Sequence, residues 1–298
     1  MGFFSSIGSF ISSVGSALGT AARSIGSALG SVGRALGSFA SSAVGIVGQI
    51  ASKASAFVGL LSTLPLGPLG PIIGPIVAKL VLKVVAKGIE YLAKKLGIID
   101  EKEKAEEVGY RVEEAAQHDD WKKQEDFDSF AEYYAYLKEQ IPDTEINFAR
   151  LKENRDRYMA LGTMELTKGL EERMDIALPE DFLFEIGRSR MEGLEIQAIV
   201  EAYKTLGYDS VNFSSYLKGK LGREESKQIE EALLSNMKKY YPNRDEDMLY
   251  ERLGTMRAAS RDDEKLADVY RDKLTKEELN KIAGDPKYMD DPKYDEKL

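Results

Sequence analysis

Large aliphatic residues recur at helical spacing over the first part of the chain. On a helix turning about 100° per residue, Ile7, Ile11, Val14, Leu18, Ile25, Leu29, Val32 and Leu36 share one face. Gly8, Gly15, Gly19, Gly26, Gly30, Gly33 and Gly37 form an adjacent stripe, within about 40° of one line. Ser9, Ser13, Ser16, Ser27 and Ser31 take the opposite side with Arg23 and Arg34. The pattern predicts an amphipathic helix with a glycine seam.

Further on, the window 54–78 holds no charged residue. It exceeds the roughly 20 apolar residues that span a bilayer. Prolines at 65, 68, 71 and 75 interrupt it, which predicts a helix at about 40–63, a turn at 64–71 and a second helix at about 72–97. In that second arm Lys79, Lys83 and Lys87 recur every four residues and line one face. A cationic amphipathic helix of this kind suits anionic lipid. The same pattern also fits a packed core helix whose lysines face water.

From Asp100 onward the pattern predicts helices almost throughout. Aromatic and aliphatic positions recur from Trp121 to Leu137, Pro142-Asp143 opens a further helix, and Pro179 opens another. Shorter helices follow at about 194–206, 210–221, 224–240, 244–258 and 262–283. No stretch alternates long enough to be a strand. The expected fold class is all-α: a glycine-striped amphipathic helix and a hydrophobic helical hairpin, then an irregular acidic helical bundle.

Charge sharpens this division. Residues 1–99 carry eight Lys or Arg and a single acid, Glu90, whereas the remainder carries 33 basic and 49 acidic residues. Of the 26 glycines, 16 precede Asp100. The expected organisation is a membrane-active region 1–99, a soluble acidic domain 100–284 and a polar tail 285–298. The tail contains the near-repeat DPKYMD-DPKYDE.

Glycine inside a helix costs roughly 1 kcal/mol relative to alanine. Close helix association in lipid offsets that cost, because small residues let backbones approach. Gly15/Gly19, Gly26/Gly30 and Gly33/Gly37 are therefore expected at helix–helix contacts, with Leu18, Ile25, Leu29, Val32 and Leu36 facing lipid. A Gly/Ser linker has no need to keep its aliphatic residues on one face. Pro65, Pro68, Pro71 and Pro75 are expected at the hairpin turn, and Lys79, Lys83 and Lys87 at anionic lipid.

The first hundred residues resemble the glycine-rich membrane-penetrating segments of phage ejection or pilot proteins. The apolar hairpin is similar to the buried hairpin of pore-forming colicin-type toxins. Both resemblances are compositional, so no functional residue transfers. They imply insertion into a membrane. The compact acidic part departs from both families.

Signals for chemistry are few. The chain has no cysteine, and its single histidine, His118, precedes Asp119 and Asp120 in what is expected to be a solvated helix end. HExxH, G-x-S-x-G and Walker A patterns are missing. The run Asn243–Glu251 alternates oxygen ligands at Asn243, Asp245 and Asp247 but lacks the EF-hand glycine. No enzyme activity, cofactor, metal or nucleic-acid partner is expected. The expected partners are a lipid membrane, further copies of the chain, and a carrier, chaperone or virion component for the acidic domain.

The start MGFFSS matches a short myristoylation pattern at Gly2 but no Sec-type signal. If the protein leaves its cell, the expected routes are lysis, an injection machine or a particle; it is expected to be soluble, carrier-bound or virion-packaged before delivery and membrane-associated afterwards. Three roles fit: a pore-forming or membrane-disrupting effector, a virion protein building a conduit for the genome, and a non-membrane assembly protein. With 49 acids in the second part, acidification is expected to cut repulsion from lipid and to loosen the bundle.

Overall fold

The computed structural model describes the backbone of residues 70–261 and the side chains of residues 81–261. Within them lie ten α-helices: α1 Gly70–Lys95, α2 Ala105–Ala115, α3 Phe130–Gln140, α4 Phe148–Glu153, α5 Arg155–Met174, α6 Glu180–Arg188, α7 Gly193–Thr205, α8 Phe213–Leu217, α9 Arg223–Tyr240 and α10 Glu246–Arg261. Two short 3-10 turns, Gln124–Asp126 and Asp143–Glu145, join them. The described residues contain no strand, only one isolated bridge between Ala177 and Ser210. The protein is all-α over this range.

Local chemistry sets the boundaries. Ser129 accepts from the Glu132 amide at 3.3 Å and starts α3. The expected run from Trp121 is thereby shortened, and Trp121 and Phe127 pack from the preceding loop. Asn147 caps α4 through the Arg150 amide at 3.0 Å. Asn154 then separates α4 from α5, where one continuous helix was expected. Gly97 sits at φ +69° and ends α1, with the Ile98 amide donating to the Ala93 carbonyl at 2.8 Å.

The helices pack around α1. It lies against α5, α6 and α7 and touches α2. Val81, Leu82, Val84, Val85, Ala86, Ile89, Leu92 and Ala93 are buried in one core with Leu166 and Leu170 of α5, Phe182 and Ile186 of α6, and Ile196 and Ile199 of α7. α1 is therefore enclosed on nearly every side over residues 81–86, the environment of a helix apolar all round. The composition changes at 99/100, but packing runs straight across that position, and α1 belongs to one compact unit with the acidic helices.

The tightest crossing joins α2 to α5. A Cβ added at Gly162 would sit 1.8 Å from the Ala105 carbonyl oxygen, and one at Gly109 would sit 2.0 Å from the Tyr158 carbonyl oxygen. Backbone rests on backbone there, and only glycine permits it.

Candidate functional site

The site follows from α1, whose side chains are described from Val81 onward. Its seat is shaped by small residues. A Cβ at Gly187 of α6 would meet Val81 Cγ1 at 2.3 Å, and one at Gly88 would meet Ile196 Cδ1 of α7 at 2.3 Å. At the helix end, Lys95 Nζ donates to Gln197 Oε1 at 2.7 Å and lies 5.3 Å from the Tyr240 ring centroid. These contacts tie α1 to α7 and α9.

Glu90 occupies the junction with α2. Its Oε1 accepts from the Ala105 amide at 2.6 Å, and its Oε2 lies 3.8 Å from Lys94 Nζ. Ala105 is fully buried, and its carbonyl is the group pressed against Gly162. One residue thus joins α1 through its amide to α5 through its carbonyl. Beside it, Glu106 accepts from Arg155 Nε at 3.1 Å. Burial pushes the Glu90 carboxyl up from 4.5 to about 7. The Ala105 amide opposes that rise, Glu106 adds to it, and Lys94 and Lys104 offset it in part.

Elsewhere, buried charges brace the helices. Arg111, fully buried on α2, donates from Nε to the Ile141 carbonyl at 2.9 Å and from Nη1 to Tyr134 Oη at 2.9 Å, and pairs with Asp143. Tyr134 donates to Glu103 at 2.8 Å. Glu113 takes ion pairs from Arg150 at 3.2 Å and from Arg157. Glu185, also fully buried, accepts from Ser214 at 3.1 Å and Ser260 at 2.8 Å, with Lys218 Nζ at 3.1 Å. On α10, Arg252 grips Glu195 through two bonds of 2.7 Å. Each network links segments distant in sequence.

The candidate chemical residues resolve in the same way. His118 stacks on Trp121 at 4.1 Å between ring centroids. Asp245 accepts from the Met248 amide at 2.8 Å, so the oxygen-rich run marks the start of α10. Among the described residues no group of three or more His, Cys, Asp or Glu could hold a metal ion, and no helix is long and apolar enough to cross a membrane.

Several expected site residues lie outside the described residues: the glycines 15, 19, 26, 30, 33 and 37, the apolar positions 18, 25, 29, 32 and 36, Pro65, Pro68, the side chain of Lys79 and the tail 285–298. Pro71 and Pro75, expected at the hairpin turn, fall inside α1 near its start. Pro71 is in the first turn, where a missing N–H breaks no helical bond. Lys83 is 3% exposed, so in this packed arrangement it does not face outward with Lys87, which is exposed. Encirclement of α1 by α5, α6 and α7 leaves no continuous outer lysine stripe over its described side chains. Sequence reasoning also passed over Glu90 and Ala105. Glu90 was visible as the lone acid of the first 99 residues; nothing local marks Ala105 as its partner.

The expected loosening in acid runs against the carboxyl groups found here. Burial raises Glu107, Glu113, Glu171, Glu180 and Asp181 as well as Glu90. A folded state that holds protons more tightly than the unfolded one gains stability as pH falls through the raised values. Glu201 and Glu230 act oppositely: burial raises each, but hydrogen bonds outweigh it and leave both below the ordinary value. Their contribution is lost only as pH falls below the normal carboxylate range.

Fold and site together define an all-α bundle built around a helix from the chain's own apolar region. No family model, curated protein or solved structure matches the chain.

Proposed function

We propose that the protein is a membrane-inserting, self-associating helical protein, delivered as a pore-forming or membrane-disrupting effector. The observation that carries this reading is the run of 25 uncharged residues, 54–78, which feeds directly into α1. Hydrocarbon favours such a run, and the glycine seam before it supplies close contacts between inserted helices. The acidic bundle carries that region and repels anionic lipid at neutral pH. α1 is the joint, with its end at 81–95 seated in the bundle. Lys87 and Lys95 are exposed cations of α1, and no catalytic step is involved.

Dye release from vesicles containing anionic lipid tests the proposal. The full chain is expected to release dye from these vesicles and to release less from neutral ones. Absence of release from pH 7.5 down to pH 4.5 contradicts it.

A second reading, a non-membrane assembly protein, draws on the finding that the aliphatic side chains of α1 from Val81 to Ala93 are buried within the bundle. Sedimentation of the chain without detergent separates the two. A discrete oligomer unchanged by added vesicles favours assembly.

A further inference from the structure

We propose that the outer face of α10 is a docking surface for a second copy of this chain, laid antiparallel across Gly254. The contact is separate from the glycine seam of residues 15–37, and it does not depend on the membrane reading.

The starting observation is Gly254, in the middle of α10. An added Cβ at Gly88, Gly109, Gly162, Gly169 or Gly187 would strike a neighbouring atom at 1.8 to 2.8 Å. At Gly254 it would meet nothing within 4 Å among the described residues. Glycine weakens a helix interior relative to alanine, because it gives up more backbone freedom on folding. Within the described fold, no close contact offsets that loss at Gly254.

The face around it is open. Leu249, Leu253, Met256 and Ala259 turn the other side of α10 into the core, where the helix lies against α6, α8 and α9. Outward lie Asp247, Tyr250, Glu251, Gly254, Ala258 and Arg261, one stripe at helical spacing and all exposed. Tyr250 is 42% exposed, and Met248 at the edge of the stripe is 53% exposed.

This stripe is self-complementary. Tyr250 and Ala258 lie four residues either side of Gly254, and Asp247 and Arg261 lie seven residues either side. A two-fold axis at Gly254 therefore brings Tyr250 of one copy level with Ala258 of the other, a ring beside a methyl group. The same axis sets Asp247 level with Arg261 of the other copy. A parallel arrangement instead sets Asp247 and Glu251 against their own counterparts, which repel. Gly254 at the axis lets the two backbones approach closely, as Gly109 and Gly162 do where α2 crosses α5. Charge and shape thus select another copy of the chain, in an isologous contact where one patch meets itself. One 16-residue helix per copy makes a small interface, of the weak and reversible class.

The test uses the full chain in buffer without lipid or detergent. Sedimentation velocity from about 1 to 300 μM is expected to show a monomer giving way to a dimer. Gly254→Lys places two like charges at the axis and is expected to weaken association on the order of tenfold. Its urea midpoint should not fall, because the position opens onto free space. The register is read by oxidation, since the chain has no cysteine of its own. Gly254→Cys is expected to form a disulfide-linked dimer, whereas Lys227→Cys, exposed on α9, is not. A wild-type chain that stays monomeric throughout overturns the proposal. So does association that Gly254→Lys leaves unchanged, or cross-linking at Gly254→Cys no greater than at Lys227→Cys, since another surface then joins the copies. A monomeric wild type whose urea midpoint falls with Gly254→Lys assigns the face to residues 262–283 of the same chain, and likewise overturns it. Vesicle leakage is scored separately and bears only on the membrane reading.

Discussion

Two helix contacts in this protein use glycine in opposite ways. Where α2 crosses α5, Gly109 and Gly162 bring backbone against backbone, and no side chain can shift to make room. Where α1 meets α7, Gly88 faces only the Cδ1 atom at the tip of Ile196. The first contact is a fixed joint; the second is a seat with some give. The difference teaches where the molecule is rigid and where it has room to respond. At the rigid crossing the Ala105 carbonyl lies against Gly162, and the Ala105 amide donates to Glu90 of α1.

Substitution at the two glycines is the strongest way to break the comparison. Gly162→Val is expected to destabilise the chain by about 4 kcal/mol in urea unfolding, because the clash is with backbone. Arg111→Met comes next, at about 3 kcal/mol, since it leaves Glu103 and Tyr134 of a buried network without their cation. Gly88→Ala should cost about 1 kcal/mol or less, because Ile196 can turn aside and alanine favours the helix. Equal losses at Gly162 and Gly88 would erase the distinction between joint and seat.

A pH series sharpens it. Burial penalises the ionised Glu90 carboxyl and raises it to about 7, so the melting temperature should rise by a few degrees from about pH 8 to pH 5.5. A fall over that interval contradicts the assigned directions. The smallest effect belongs to the exposed pair Lys227–Glu231 on α9, 3.7 Å apart, whose removal should leave the melting temperature unchanged.

Much of the fold was legible in the pattern of apolar positions. Helices expected at 194–206 and 224–240 match α7 and α9 within a residue or two. α8 is shorter than expected because Lys218 and the positive φ of Gly219 end it. Composition changes at 99/100, while the hydrophobic packing of α1 with the following helices runs across that position. Charge reports what surrounds a segment less well than periodicity does. α1 carries lysines like a surface helix, yet Lys83 is buried. The Glu90 site was half legible: a lone acid in a basic, apolar region stands out, but its acceptor role depends on how α2 returns against α1. The glycine principle inferred for residues 15–37 is realised at Gly109 and Gly162, where no local repeat announces it.

The most direct test of the central claim is hydrogen exchange of the full chain with and without vesicles of anionic lipid. The account predicts that segments within residues 10–75 gain protection when vesicles are added, while α2 to α10 keep theirs. Unchanged exchange throughout residues 10–75 in the presence of lipid would contradict it.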